Sequence, residues 1–116
     1  MDAEVTLLPS VHRLRKTEDF RLIRRRGKKY VYQGVIIHIS QGYFGEGPSQ
    51  IGITVGKDCG NSVARHRLSR RIRGAMSSVV DQLPQGSGVV IRALPTATEN
   101  IDIAAELTDF SIKVKS

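Results

Sequence analysis

The stretch IGITVGKDCGNSVARHRLSRRIR, residues 51–73, decides the architecture. It opens as a strand: Ile51, Ile53 and Val55 share one face, and Gly52, Thr54 and Gly56 share the other. The small residues leave that second face open to close approach by another backbone. Gly56–Gly60 then turns the chain, and Asn61 or Ser62 suits an N-cap. From there the period becomes helical. Ala64, Leu68, Ile72, Ala75, Met76, Val79 and Leu83 form one apolar stripe, which predicts a helix to about Leu83, stopped by Pro84 and Gly86. Opposite the stripe fall His66, Arg67, Arg70 and Arg73. Arg71 sits on its shoulder, and Arg65 lies nearer the apolar side in the first turn.

Working outward, Val89–Arg92 reads as a short buried strand, and Asn100 as the cap of a last helix whose apolar residues are Ile103, Leu107, Phe110 and Val114. Upstream, residues 31–40 read as one strand with Val35, Ile37 and Ile39 on one face and Gly34, Ile36, His38 and Ser40 on the other. The glycine-rich segment from Gln41 to Gln50 reads as a loop. A first helix is expected from a Thr17 cap to about Arg26. Glu18 and Asp19 suit its positive end, Arg24, Arg25 and Arg26 its negative end, and Gly27 follows. Residues 1–10 read as a flexible arm leading into the basic strip His12-Arg13-Leu14-Arg15-Lys16. The order of helix, strands, helix, strand, helix is that of a small α+β sandwich.

The chain has 116 residues, which is one domain, 1–116, with one modest core. No apolar run reaches the roughly 18 residues of a membrane helix, so no membrane partner is expected. Cys59 is the only cysteine, which excludes an intrachain disulfide and fits a reducing, cytoplasmic setting.

The net charge of +7 is segregated. Residues 13–73 carry 15 basic residues against four acidic ones, whereas the segments on either side are each slightly acidic. That distribution implies a polyanionic partner, most simply a nucleic acid. Arginine suits RNA because its planar fork matches phosphate oxygens and can stack on bases. The helix start after Gly56–Gly60 adds backbone N–H groups aimed at an anion. A solvated arginine-rich face is the competing reading. Phe20 reads equally well as a core aromatic, and His38 as a structural histidine. His12, His38 and His66 are far apart without partner cysteines, so no zinc site is expected. No carboxylate pair, Ser/His/Asp set or Cys/His pair points to catalysis by the protein itself.

Several motifs in order carry a resemblance. They are Leu8-Pro9, Arg13-Leu14-Arg15-Lys16, Asp19-Phe20 and Arg26-Gly27, followed by the block Ile51–Lys57, Gly60-Asn61 and Ala64–Arg73. Leu83-Pro84, Val89–Ala93 and Pro95 complete the pattern. From about Leu8 to the C-terminus the chain resembles the bacterial ribonuclease P protein subunit. The resemblance implies a central four-stranded mixed sheet, an order of about α-β-β-β-α-β-α, and a left-handed βαβ crossover against the usual hand. It implies a ribonucleoprotein endonuclease that removes the 5′ leader of precursor tRNA. The catalytic RNA performs the hydrolysis and holds most of the Mg2+. The protein binds that RNA and, in a cleft between the sheet and the first helix, the leader.

Carried over by position, the expected contacts to RNA are Lys57, Asn61, Arg65, His66, Arg67, Arg70, Arg71 and Arg73, with Arg13, Arg15 and Lys16. Phe20, Arg24 and His38 are the expected leader contacts. Three positions depart from the family pattern. His66 stands for the usual Asn, Ser69 for the usual Lys, and Arg24 for a common second Phe. Phe20 and His38 can stack on unpaired bases. Two other classes share the charge. A structural RNA-binding protein would lack the leader cleft, and a helix-turn-helix DNA binder would need a short helix just before the arginine-rich one. Strands and glycines precede it instead, so DNA is not expected as a partner.

Overall fold

The computed structural model describes residues 8–97 and 100–115. Three helices and four strands follow in the order α1 (Thr17–Arg26), β1 (Lys28–Val31), β2 (Val35–Ser40), β3 (Gln50–Thr54), α2 (Ser62–Ser77), β4 (Gly88–Ala93) and α3 (Ile103–Lys113). The strands form one mixed sheet in the order β1-β2-β4-β3. β1/β2 and β2/β4 pair antiparallel, while β3/β4 pair parallel, so β3, α2 and β4 make a βαβ unit. This is the expected α+β sandwich.

The two faces of the sheet carry different loads. Val35, Ile37, Ile39, Ile51, Val89 and Ile91 are buried in the main core, together with Leu68, Ile72 and Met76 of α2 and Ile103, Leu107 and Phe110 of α3. On the other face a smaller cluster of Leu14, Ile23 and Val90 holds α1, with Phe20, Tyr43 and Phe44 packed against it. The alternation of residues 35–39 thus sorts between the main core, which takes Val35, Ile37 and Ile39, and the half-buried side under α1, which takes Ile36 and His38. The chain joins the main core at Leu8, which is buried, and a short 3-10 turn spans Ser10–His12. Residues 1–7 of the expected arm lie outside the described residues.

Four boundaries differ from the sequence reading. Residues 31–40 are not one strand. The chain reverses at Tyr32–Gly34, where Tyr32 N–H donates to Val35 O (2.9 Å), and Lys28–Val31 is the outer strand of a hairpin. The turn is held from outside: Glu106 of α3 accepts from the backbone N–H groups of Gln33 (3.0 Å) and Gly34 (3.1 Å). Gly34 therefore packs beside Ile101 and Glu106 and does not share a face with His38. The cap of α1 is Lys16, not Thr17, because Lys16 O already accepts from Phe20 N–H (3.2 Å). α2 stops at Ser77, not near Leu83. Two serines that compete for backbone bonds precede two β-branched valines there, and Ser77 Oγ donates to Gly74 O (2.6 Å). The stripe continues through a 3-10 turn at Val80–Gln82, which keeps Val79, Val80 and Leu83 buried. α3 is capped by Asp102, whose Oδ1 accepts from Ala105 N–H (3.0 Å), not by Asn100.

Candidate nucleic-acid interface

Cross-strand register builds the floor of a cleft. Lys29, His38, Val90 and Gly52 lie in one row across the four strands, and Val31, Ile36, Arg92 and Thr54 lie in the next. Both rows face the side on which α1 packs. Phe20, Arg21, Arg24 and Arg25 of α1 form the wall of a cavity of about 540 Å³, over a floor that includes Lys29, Ile36, His38 and Arg92. Phe20, Arg24 and His38 are thus brought together, as the sequence reading expected. No carboxylate lines the cavity, whereas five cationic side chains do. The arrangement suits an anionic strand whose bases can meet Phe20 and His38.

Gly52 does not supply an open floor. Its missing Cβ makes room for the Phe20 ring, so a side chain and not a backbone takes up the space. Burial lowers the pKa of His38 below 6.5, and the nearby charges of Arg24 and Lys29 push it the same way. Its Nδ1 is buried without a hydrogen-bond partner among the described residues. At neutral pH the imidazole is therefore uncharged, an apolar plate with one polar edge.

Arg21, Arg25, Lys29 and Arg92 were absent from the expected set. Arg92 left a signal, being the one charge in an otherwise buried apolar strand. Arg21 and Arg25 were readable as well, since Arg21, Arg24 and Arg25 lie at i, i+3 and i+4 on one face of the same helix.

The second basic surface is α2. Asn61 caps it, with Oδ1 accepting from Ala64 N–H (2.9 Å), so half of its carboxamide is committed to the helix start. Lys57 is exposed on the 3-10 turn Lys57–Cys59 just before. His66, Arg67 and Arg70 are exposed and rim a groove of about 740 Å³ between α2 and the start of α3. Arg71 also lines the groove, and its Nη2 donates to Ile101 O (2.9 Å). Arg65 is half-buried, and its Nε has no hydrogen-bond partner among the described residues.

Arg73 does not join this row. Residues two apart differ by about 200° on a helix, so Arg71 and Arg73 leave on opposite shoulders of α2. Arg73 turns toward the N-terminal strip and lines a cavity of about 260 Å³ with Arg13, Arg15 and Phe20. Lys16 is exposed at the cap of α1. Among the described residues, no group of three His, Cys, Asp or Glu is placed to hold a metal ion. No helix among them is long and apolar enough to cross a membrane.

Comparison with known proteins places this architecture. Residues 8–114 match the family model Ribonuclease P. The chain is 38% identical over 96 residues to the ribonuclease P protein component of Rhodococcus opacus, covering 78% of this chain and 77% of that one. It is 40% identical over 96 residues to the corresponding protein of Corynebacterium diphtheriae, covering 78% and 81%. Its fold is similar to that of the RNase P protein of Thermotoga maritima, with a TM-score of 0.75 at 23% identity over 90% of this chain and 98% of that one. The RNase P protein of Staphylococcus aureus superposes with a TM-score of 0.73 at 19% identity, over 90% and 95%. The chain belongs to the ribonuclease P protein family.

Proposed function

We propose that this chain works as the protein subunit of a cytoplasmic ribonuclease P ribonucleoprotein. It binds the catalytic RNA through α2 and the 5′ leader of precursor tRNA through the cleft under α1, and so assists removal of that leader. The observation that carries the reading is the cleft: five cations, an aromatic and a neutral imidazole face one another with no carboxylate among them. That set suits an extended single strand, with phosphates on guanidinium groups and bases on rings. A duplex would not fit, because its bases are already stacked on one another.

The protein's share is binding and positioning. Phe20 and His38 take unstacked bases, and Arg24, Arg21, Arg25, Lys29 and Arg92 screen the phosphates. On the other side, His66, Arg67 and Arg70, with Lys57 nearby, dock on the RNA subunit. Hydrolysis is assigned to that RNA, together with the Mg2+ it needs. The added cations relieve phosphate repulsion between the two RNAs, which lowers the magnesium needed to hold them together.

Reconstitution tests this. Precursor tRNA is incubated with the cognate RNA at near-physiological magnesium, with and without the protein. Correct 5′ cleavage should require both components. Cleavage by nuclease-free protein alone, or no effect of protein on the RNA, would remove the reading.

A further inference from the structure

The cavity behind Phe20 brings together three arginines from two distant parts of the chain. Arg13 and Arg15 come from the strip before α1, and Arg73 comes from the C-terminal half of α2. The strip is fixed in place: Leu14 N–H donates to Ile51 O (3.0 Å), Arg13 forms a parallel bridge with Ile51, and Leu14 is buried. Arg13 Nε donates to Leu8 O (3.1 Å), and Arg15 Nη2 donates to Ser10 Oγ (3.0 Å). Each guanidinium is thereby oriented while keeping other N–H groups for a ligand. The rest of the lining is apolar or glycine, with no carboxylate.

Like charges held this close without an anion repel one another. Arg73 has its pKa lowered, first by burial and second by the charge of Arg13. A bound anion would relieve that repulsion. Phe20 lines both this cavity and the cleft. A strand that stacks on Phe20 therefore meets the ring that borders both the cleft and the cavity lined by the three guanidinium groups.

We infer that Arg13, Arg15 and Arg73 form a phosphate subsite for the leader strand where it passes Phe20, so that Arg73 serves the substrate and not the catalytic RNA. This rests on the leader reading given above. It divides α2 by function: Arg67 and Arg70 face one RNA, and Arg73 faces the other.

The test uses the assembled ribonucleoprotein with Arg73→Gln and Arg13→Gln, each checked for folding by thermal melting, and with Arg73→Lys as the charge-retaining variant. Three dissociation constants are measured: protein for RNA subunit, and holoenzyme for precursor and for mature tRNA. The subsite predicts precursor affinity lowered on the order of tenfold per lost guanidinium. It also predicts a log–log salt slope shallower by about 0.7 for precursor. Mature tRNA and RNA-subunit affinities should stay unchanged, and Arg73→Lys should recover part of the loss. A neutral methylphosphonate at one leader linkage should weaken the wild type and leave Arg73→Gln unaffected. Equal loss in RNA-subunit affinity would overturn the inference and return Arg73 to the catalytic RNA. No loss for any ligand would overturn it too. If the wild-type holoenzyme bound precursor and mature tRNA equally, the leader reading itself would fall, and the subsite with it.

Discussion

Phe20 of α1 packs over Gly52 of β3 so closely that a Cβ at position 52 would overlap Cζ and Cε2 of the ring. The glycine and the aromatic are complementary: one strand position is left empty so that a helix side chain can lie on the sheet and still border the cleft. Gly52→Ala should therefore act on Phe20. The ring tip can swing away, so the fold should lose only about 1 kcal/mol, at the low end for overpacking. Precursor binding should weaken as it does for Phe20→Ala. Denaturant titration and precursor affinity, measured on the same variant, check this pair of effects.

Gly27 gives the contrasting case. A Cβ there would stand 2.6 Å from Ile23 O and 2.8 Å from Ile39 O, both backbone atoms. Neither can move without shifting α1 or β2. Gly27→Ala should cost about 1–3 kcal/mol, more than Gly52→Ala, although its φ of −76° is open to any residue. Chemical denaturation of the two variants side by side gives the order.

His38 makes stability depend on pH. Its folded pKa lies below the ordinary 6.5, so the unfolded chain takes up the proton first as the pH falls. Stability is full above about pH 6.5 and is lost on acidification toward the folded pKa. The thermal midpoint of the wild type should fall further between about pH 7 and pH 5.5 than that of His38→Asn. Parallel slopes for the two proteins would show that the imidazole does not carry the effect.

α2 serves the core and the surface through different residues. Leu68 is 6% exposed, so Leu68→Ala should destabilise the fold by about 2–5 kcal/mol. Val63, on the same helix, is 64% exposed, and Val63→Ala should stay within about 0.5 kcal/mol. Neither removes a charge, so the salt dependence of RNA binding should be unchanged in both while they remain folded.

The helical stripe, the alternation of residues 51–55 and the apolar run at 89–92 were enough to place α2, β3 and β4. α2 buries one face against the large core, which writes a helical period, whereas β4 is buried on both faces, which writes an unbroken apolar run at Val89–Ile91. The β1–β2 hairpin was not readable, because its turn is stabilised by Glu106, far along the chain, and not by a local Asn-Gly or Asp-Gly pair. Tyr43 and Phe44 hid for a similar reason. They lie in a glycine-rich loop yet pack against the cluster beneath α1. Among the candidate site residues, Phe20, Arg24 and His38 share a cavity as expected. The opposite directions of Arg71 and Arg73 follow from helix geometry, but what Arg73 meets was not legible. A helical wheel orders directions about one axis and says nothing of the neighbour, here the Arg13–Arg15 strip, that waits on each side.

On the proposed function, two RNA surfaces act separately on one small domain. Comparing Phe20→Ala with the double variant Arg67→Gln/Arg70→Gln tests it most directly. For each, two quantities are measured: affinity for the RNA subunit across a salt series, and the ratio of precursor to mature tRNA affinity in the holoenzyme. Phe20→Ala should lower that ratio by about five- to hundredfold and leave RNA-subunit binding unchanged. The double variant should weaken RNA-subunit binding, with a slope shallower by about 0.7–0.9 for each lost phosphate contact, and leave the ratio intact. If both variants lowered both quantities by the same factor, the protein would present one undivided surface, and the account would be wrong.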